Sequence, residues 1–431
     1  MNALYFGVGR ELITPAVGGQ LYGYNPDIRS ARVEDDLTVT AFYFRQGNEQ
    51  ALMLTATVCL IQTELARRIL ALLEAECGVP QGKLLLSATH THSGPNTAGS
   101  YGWGDLDTEY CEGIFIPAIL KAAKKAMECP QQVTVAAAAG ESLVGVNRRQ
   151  WKEDGHIHLG QDPAGFFDPT MTVLSFLDKQ GHPVANLIHY GCHGTAAGKN
   201  TEITRDWSGL MTDALEKETG AVTAFLNGPE GDVGPRISNG LTKGDLSYVY
   251  ELGQKAAADV LRIYKGLKPC GEVRLSAETL DAPVPLKPRM EREAALEMLE
   301  AYKGNTVNLK GQIRVHLEEV ISAWEQGLPE ESHFVFPQTV LRLGGYLFVS
   351  FPFELFSEIG LKLNAAVEGA AVLSLSNTNG SEGYFVTEKE LPRGGYETEM
   401  HLYNHPQTYA NGADDALVQI TLQNICRAEK E

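Results

Sequence analysis

Residues 84–96 read LLLSATHTHSGPN, an apolar run followed by two histidines and a Ser-Gly-Pro turn. The apolar run predicts a buried strand over 84–89 that ends at His90. His90 and His92 are two residues apart, so on an extended chain both imidazoles point to the same face. Two imidazoles at the mouth of a strand suit metal ligation together with a second polar role, although a pair of surface turn histidines would give the same pattern.

Strands and helices alternate on both sides of this stretch. Apolar and β-branched runs predict strands at 34–45, 50–58, 132–138, 171–177, 183–189, 221–226, 272–279, 340–344, 346–351 and 371–375. Apolar residues at helical spacing predict helices at 61–76, 109–128, 207–218, 245–266 and 412–429. This order predicts an α/β fold in which helices flank one or more mixed β-sheets.

No linker, low-complexity tract or internal repeat divides the chain, so we interpret residues 1–431 as a single domain. Two charged helical stretches, at about 289–304 and 314–327, lie between predicted strands. They predict a helical insertion or cap at about 289–327.

The composition excludes several classes of partner. A net charge of −18 and a pI near 5.1 disfavour nucleic acid and anionic membranes, which leaves a small-molecule substrate and is compatible with a homo-oligomer. The N-terminal sequence lacks the pattern of a signal peptide, and no apolar run reaches the ~18 residues that span a bilayer. Seven irregularly spaced cysteines without a CxxC motif disfavour a disulfide framework. We therefore expect a cytoplasmic protein.

A second histidine-containing stretch is LIHYGCHGTAAG, residues 187–198. On a helix, His189 and His193 would form one metal-binding face, but Gly191 and Gly194 disfavour a helix there. We expect one of the two histidines to be a ligand, with His193 preferred, and His189 to pack in the core.

A carboxylate lies in an apolar setting in SFPFELFSEIG, residues 350–360. Glu354 follows a predicted buried strand, where an unpaired charge is costly unless a cation or metal compensates it. A carboxylate that interacts with backbone N–H groups at the start of a helix is the alternative interpretation.

Two tyrosines and a glycine-rich loop complete the set. Tyr384 follows in SNTNGSEGYFVT and Tyr396 in GGYETE. A phenol near a divalent cation can ligate it or stabilise an oxyanion, but packing is the commoner role of a lone tyrosine. The loop NGPEGDVGPR at 227–236 carries Asp232 and lets the backbone approach a ligand, but it lacks the residues of a nucleotide-binding P-loop.

Several short segments follow one another in a specific order: GVGRELITP at 7–15, GYN at 23–25, THTHSGP at 89–95, Asn147-Arg148, HYGCHG at 189–194, TRDWSG at 204–209, EGDVGPR at 230–236, FPFEL at 351–355 and GYFVT at 383–387. This ordered set resembles the catalytic domain of the neutral/alkaline non-lysosomal ceramidase family over nearly the whole chain. The resemblance implies that family's α/β catalytic domain, so residues 1–431 are interpreted as one catalytic domain.

The resemblance also implies site residues. It implies a zinc ion bound by two histidines, a glutamate and a tyrosine: His90, His193, Glu354 and Tyr384. It further implies that three polar residues line the active site: His92, Arg148 and Tyr396. The serine at the family's catalytic centre corresponds here to Gly234. The chain also ends where ceramidases continue into an immunoglobulin-like domain, and it lacks their export signal, so we expect a small soluble substrate rather than ceramide.

Together these features predict a zinc-dependent hydrolase that cleaves an amide or ester bond with a metal-activated water. His92 is expected to act as a general acid or base, while Tyr384, Tyr396 and Arg148 stabilise an oxyanion or anchor an anionic group. Asp232 is a further candidate catalytic residue, and Asp206 is expected to orient a ligand histidine. Two alternatives stay open: a metal-dependent lyase or isomerase on a sugar-like metabolite, and a non-catalytic metal-binding protein. The mixed ligand set favours zinc, although manganese or iron also suits the spacing.

Overall fold

Three β-sheets face a common apolar core in the computed structural model, which describes residues 2–429. The first sheet has the spatial order Leu84–Ala88, Glu49–Ala56, Thr38–Gln46, Tyr5–Leu12 and Gln131–Gln132. The second has the order Val222–Asn227, Pro183–Tyr190, Thr170–Leu177, Thr134–Glu141 and Lys268–Pro269. The third has the order Leu275–Pro285, His333–Leu343, Tyr346–Ser350 and Ala371–Leu375.

Helices cover the outer face of each sheet. Thr63–Cys77 and Ile116–Glu128 pack on the first sheet, Trp207–Thr219 and Leu246–Tyr264 on the second, and Ser357–Ala366 and Ala413–Ala428 on the third. Each sheet is therefore buried on both faces, which explains why its strands are nearly continuous apolar runs. The predicted α/β class with mixed sheets and flanking helices is confirmed.

Each of the three sheets contains one parallel strand–helix–strand unit within an otherwise antiparallel arrangement. In the first sheet Glu49–Ala56 pairs in parallel with Leu84–Ala88. In the second Pro183–Tyr190 pairs with Val222–Asn227, and in the third Tyr346–Ser350 pairs with Ala371–Leu375. Ligand sites in α/β sheets form beyond the carboxyl ends of parallel strands. The segments that carry the candidate site residues follow the carboxyl ends of these strands.

Shorter elements surround these units. Gly145–Trp151, Ile157–Asp162 and Val233–Pro235 form a small antiparallel sheet, and two-residue parallel pairs join Arg32–Val33 to Glu202–Ile203 and Glu354–Leu355 to Tyr384–Phe385. The short helical segments are Gln81–Lys83, Thr108–Tyr110, Cys111–Phe115, Glu388–Arg393 and Tyr396–Leu402. No helix within residues 2–429 combines the length and the apolar character that crossing a membrane requires.

The strand Tyr5–Leu12 is absent from the sequence prediction because two glycines weaken its pattern. The structure shows why glycine is needed at one of them. A Cβ on Gly7 would lie 1.9 Å from the carbonyl oxygen of Ala126, so the helix Ile116–Glu128 packs directly on the strand backbone.

Two helices connect the long antiparallel strands of the third sheet, whose ends pair at Pro285 and His333. They span Arg292–Tyr302 and Asn308–Glu325, and they pack on each other through a small apolar cluster that includes Ala295 and Leu317. They lie where the sequence predicts a helical insertion. The interpretation as a single domain with a cap stays a prediction.

Candidate metal centre

Four side chains from distant parts of the sequence meet in one small buried volume. Glu354 Oε2 lies 3.0 Å from His193 Nε2 and 3.4 Å from His90 Nε2. The Tyr384 hydroxyl lies 3.3 Å from His193 Nε2. The nearest donor atoms of His90, His193 and Glu354 all lie within 4.8 Å of one another, so a single ion could contact all three.

A local backbone pairing sets the two histidines side by side. Thr91 and Gly194 form a parallel bridge, in which Gly194 N–H donates to the His90 carbonyl and His92 N–H donates to the Gly194 carbonyl. A Cβ on Gly194 would lie 2.8 Å from the His90 carbonyl oxygen, so only glycine permits this approach. The bridge aligns the residues that precede it, His90 and His193, on neighbouring segments.

A second parallel pairing aligns the other two side chains. Glu354 is the register partner of Tyr384, and the Glu354 N–H donates to the Gly383 carbonyl over 2.9 Å. Residues in register on adjacent strands project to the same face. The carboxylate and the phenol therefore lie next to each other and face the histidine pair.

Backbone carbonyls orient both imidazoles. His90 Nδ1 lies 3.0 Å from the Cys59 carbonyl, and His193 Nδ1 lies 2.9 Å from the Glu230 carbonyl and 3.1 Å from that of Val233. A hydrogen on Nδ1 that points to a carbonyl leaves the Nε2 lone pair free for a metal. Both Nε2 atoms face Glu354.

The four side chains fit a zinc ion. Arms of about 2.0–2.1 Å in a tetrahedral site separate ligand atoms by about 3.3–3.4 Å, close to the observed 3.0, 3.3 and 3.4 Å. Glu354 Oε2 is buried, and it contacts the Nε2 atoms of both histidines. Burial, followed by the positive charge of Arg148, lowers the pKa of His193 to about 3, so its imidazole is neutral as metal ligation requires.

A second group of candidate ligand atoms comprises Cys59, His90 and His92. Burial raises the pKa of the Cys59 thiol, and its Sγ lies 3.7 Å from His90 Nδ1. Because the thiolate is the ligand form of cysteine, a protonated buried thiol is a poor ligand. The group of His90, His193 and Glu354 is therefore the better candidate.

His92 lies beside this centre. Its Nε2 is 3.2 Å from His90 Nε2, and its Nδ1 is 3.2 Å from the Gly23 carbonyl. Burial, followed by the neighbouring His90 and His193, lowers the pKa of His92 well below its usual value. A neutral imidazole at this position can accept a proton from a reacting group.

Arg148 also lies beside the centre, in contact with Tyr384. Its Nη2 donates to the Tyr384 hydroxyl over 2.8 Å, and its Nε lies 2.8 Å from Glu397 Oε1. Glu397 is fully buried and also pairs with Arg149 at 2.7 Å. The ring of Tyr396 lies 5.7 Å from that of Tyr384. The predicted residues Arg148, Tyr384 and Tyr396 thus share one side of the centre, while their roles stay predictions.

Two acidic residues that the sequence suggested for the site lie elsewhere. The Asp232 carboxylate accepts from the backbone N–H and the hydroxyl of Ser357, at 2.8 and 2.9 Å, and so stabilises the start of a helix. Its side chain does not line the cavity at the centre. The expectation for Asp206 is wrong, because its carboxylate accepts from Ala197 and Trp207 N–H groups rather than from a histidine. His189 packs in the core, as expected, with Nε2 2.9 Å from the Ser374 carbonyl.

Glu230 and Asn377 are buried beside the centre, and neither was among the residues predicted for the site. The Asn377 amide donates to Glu230 Oε1 over 2.6 Å, and Glu230 Oε2 has no hydrogen-bond partner in the described chain. Burial raises the pKa of Glu230 to about 8. Asn377 Nδ2 is also 3.3 Å from His90 Nδ1. The only sequence signal was the position of Glu230 in a glycine-rich loop.

Two cavities meet at the centre. The first, here called the inner cavity, has a volume of about 230 Å³ and is lined by His90, Glu354 and polar residues of the helix Asn308–Glu325. The second, here called the basic cavity, has a volume of about 310 Å³ and contains Arg148. Both share five lining residues: Gly23, His92, Trp103, Tyr384 and Tyr396.

Position 234, which the resemblance matches to a serine of the family, has no room for a side chain. A Cβ on Gly234 would lie 2.7 Å from both Cβ and Cγ2 of Thr242. The side chain of Thr242 therefore occupies the volume that a serine at 234 would need.

Comparisons with known proteins identify the family of this chain. Residues 4–247 match the family model described as neutral/alkaline non-lysosomal ceramidase, N-terminal. Neutral ceramidase B of Dictyostelium discoideum is 29% identical over 244 residues, which cover 50% of this chain and 33% of that protein. Neutral ceramidase of Pseudomonas aeruginosa is 28% identical over 186 residues, or 40% of this chain and 27% of that protein. The matches thus span about a third of the length of these curated relatives.

The fold comparison extends over the whole chain. The crystal structure of neutral ceramidase from Pseudomonas aeruginosa superposes with a TM-score of 0.75 and 20% identity, covering 99% of this chain and 75% of that one. A structure of a ceramidase complexed with C2 gives a TM-score of 0.72 and 18% identity, with 99% and 76% coverage. At this identity the likeness shows the fold.

Proposed function

The chain belongs to the neutral/alkaline non-lysosomal ceramidase family, and from that premise we propose that it is a zinc-dependent hydrolase of an amide or ester bond in a small polar molecule. One observation carries the proposal. Three donor atoms, from His90, His193 and Glu354, converge with the spacing of a zinc site that keeps a position for water, and the Tyr384 hydroxyl lies beside them.

The residues around the centre suit the addition of water to a carbonyl. A zinc ion, when bound, supplies a Lewis acid and lowers the pKa of water. His92 accepts the proton that the attacking water loses, and returns it to the amine or alcohol as the carbonyl–heteroatom bond breaks. The Tyr384 hydroxyl accepts a hydrogen bond from Arg148, so its own proton remains available to a developing oxyanion.

The inner cavity supports a small polar substrate. Its volume is about 230 Å³ and that of the adjoining basic cavity is about 310 Å³, which is the scale of small-molecule pockets. Gln312, His316, Glu319 and Asn404 contribute polar groups to its wall. A long hydrocarbon chain would supply no partner for the Glu319 carboxylate or for His316 Nδ1, which is buried without one in the described chain, and this is costly. The relatives are named as ceramidases, so ceramide is the substrate against which the proposal must be tested.

The test combines metal analysis with a substrate panel. Purified protein is analysed for metals and then assayed on short N-acyl amino acids, short-chain esters, sugar lactones and a fluorescent ceramide, with and without a chelator. We expect zinc at about one ion per chain and chelator-sensitive hydrolysis of the short polar amides or esters. Faster turnover of ceramide would refute the substrate class. Zinc binding without hydrolysis of any amide or ester would refute the hydrolase assignment and favour a lyase, an isomerase or a metal-binding protein.

A further inference from the structure

We propose that the substrate carries an anionic group, a carboxylate or a phosphate, which Lys199 and Lys243 bind in the basic cavity beside the metal centre. This inference rests on the proposed function, because it assigns the part of the substrate that lies away from the scissile bond.

The two cavities that meet at the centre carry opposite charges. The basic cavity is lined by Arg148, Lys199 and Lys243, and its described lining contains no Asp or Glu. The inner cavity contains Glu319 and Glu354, and its described lining contains no Lys or Arg. The chain as a whole has a net charge of −18, so a cavity that holds three cations and no carboxylate departs from the average surface. Such a site attracts anions.

The two lysines are available to a ligand. Neither ammonium forms an ion pair within residues 2–429, whereas Arg148 in the same cavity is already paired with Glu397 at 2.8 Å. The hydroxyl of Tyr24, which also lines this cavity, is buried without a hydrogen-bond partner in the described chain. A buried polar group without a partner costs free energy until a ligand supplies one. Two ammonium groups and a phenol are the donors that an anionic group requires.

Backbone contacts hold the two lysine-bearing loops together. Gly244 N–H donates to the Ala196 carbonyl over 3.0 Å, and the Thr195 hydroxyl donates to the Thr242 carbonyl over 2.8 Å. A Cβ on Gly198 would lie 2.3 Å from the Gly244 carbonyl oxygen. Each contact lies within four residues of a lysine, so the fold fixes where both side chains begin. Their long stems then reach the cavity.

The anion-binding groups are continuous with the reacting centre. The basic and inner cavities share Trp103, His92, Tyr384 and Tyr396, and the ring of Tyr24 lies 5.2 Å from the His92 ring. A substrate can therefore present its carbonyl at the metal centre while its anionic end occupies the basic cavity. Binding energy from such a remote group positions the reacting bond.

The experiment compares two esters of the same acyl length, neutral 4-nitrophenyl butyrate and anionic mono-4-nitrophenyl succinate, with zinc-loaded enzyme. We expect kcat/KM to favour the anionic ester by about tenfold, as two charge-assisted contacts allow. The Lys199→Gln/Lys243→Gln variant should reduce that ratio to about one, mainly through KM. The preference should also shrink as salt is added, because the lysines are exposed. Lys265→Gln/Lys268→Gln, which removes the same charge outside both cavities, should keep the ratio.

Calorimetry measures the binding of succinate and of inorganic phosphate to the zinc-loaded protein. It distinguishes failure of the anion site from failure of the hydrolase assignment, and it distinguishes a carboxylate from a phosphate. Binding that weakens about tenfold in the lysine variant, with neither ester hydrolysed, would leave the anion site standing and refute the hydrolase. Ester hydrolysis with equal rates for both esters, and no anion binding, would refute the anion site and leave the hydrolase standing. A preference that survives in the lysine variant would also overturn the assignment. The anion that binds more tightly, succinate or phosphate, identifies the anionic group of the substrate as a carboxylate or a phosphate.

Discussion

Glu354 and Tyr384 are register partners across two short parallel strands, and Tyr384 in turn accepts a hydrogen bond from Arg148 over 2.8 Å. One backbone pairing thus sets a negative carboxylate beside a phenol that an arginine polarises. The Thr91–Gly194 bridge likewise places His90 and His193 next to each other. Two short parallel pairings, rather than one motif, assemble the candidate metal centre, and each can be perturbed separately.

Removal of one imidazole should remove the metal. We expect His90→Ala to lower bound zinc from about one ion per chain to almost none, because a two-histidine site with one carboxylate needs all its ligands for tight binding. Zinc should then no longer raise the Tm, whereas at 1,000 times Kd it stabilises the parent by about 4 kcal/mol. Metal analysis and thermal unfolding measure both effects. His182→Ala, on a side chain that is 77% exposed, serves as control, and full zinc content in His90→Ala would contradict the assignment.

Removal of the Tyr384 hydroxyl should reduce catalysis more than folding. Tyr384→Phe deletes a donor from the carbonyl site and removes the acceptor of Arg148 Nη2, so we expect kcat to fall by about 10²–10³. Steady-state kinetics at matched zinc content tests this. Tyr250→Phe, whose hydroxyl contacts Glu34 at the surface, should change kcat little. A Tyr384→Phe enzyme with unchanged kcat would remove the phenol from the mechanism.

The backbone bridge between the histidine segments should not tolerate a methyl group. Gly194→Ala puts a Cβ 2.8 Å from the His90 carbonyl oxygen, so we expect it to cost about 1–3 kcal/mol of unfolding free energy and to weaken zinc binding. Urea unfolding and zinc titration are the measurements. Gly345→Ala has no heavy atom within 4 Å of the new Cβ and should be close to neutral. Equal stability of both variants would show that the two backbone segments can move apart at little cost in free energy.

A serine at position 234 should destabilise the protein by a steric clash. Gly234→Ser forces its Cβ within 2.7 Å of Thr242, so we expect a loss of about 1–3 kcal/mol in unfolding free energy without a gain in activity. Thr242→Ala removes Cγ2 from the same volume and should recover part of the loss in the double variant. Denaturant unfolding of the four proteins gives the coupling energy. Additive effects would mean that Thr242 does not occupy that volume.

Acid should destabilise the wall of the inner cavity through His316. Burial lowers the pKa of His316 to about 4, below the ordinary value of about 6.5, so the unfolded chain binds the proton first as pH falls. The stabilisation is therefore complete above about pH 6.5 and is lost toward pH 4, by up to about 1.4 kcal/mol per pH unit. Unfolding free energies of the parent and His316→Gln between pH 7 and 5 test this. A pH-independent difference between the two would contradict it.

The site residues that could be predicted are those with a local sequence signal. The strand over 84–88 is a plain apolar run, and His90 and Glu354 each follow such a run, so their exposure to a site could be anticipated. Glu230 could not be selected, because its amide partner Asn377 lies 147 residues away. The contact of Asp232 could not be predicted for the same reason, because Ser357, which its carboxylate binds, is 125 residues along the chain. Contacts at such separations follow from the packing of three sheets, which no local pattern encodes.

The helices that wall the inner cavity enter and leave the third sheet at Pro285 and His333, which face each other in register. A segment whose two ends meet at neighbouring positions can be exchanged without altering the strands that hold it. Gln312, His316 and Glu319 all belong to that segment, whereas His90, His193, Glu354 and Tyr384 lie outside it. Exchange of the segment between Pro285 and His333, in evolution or by design, can therefore change the substrate specificity and leave the metal ligands unchanged.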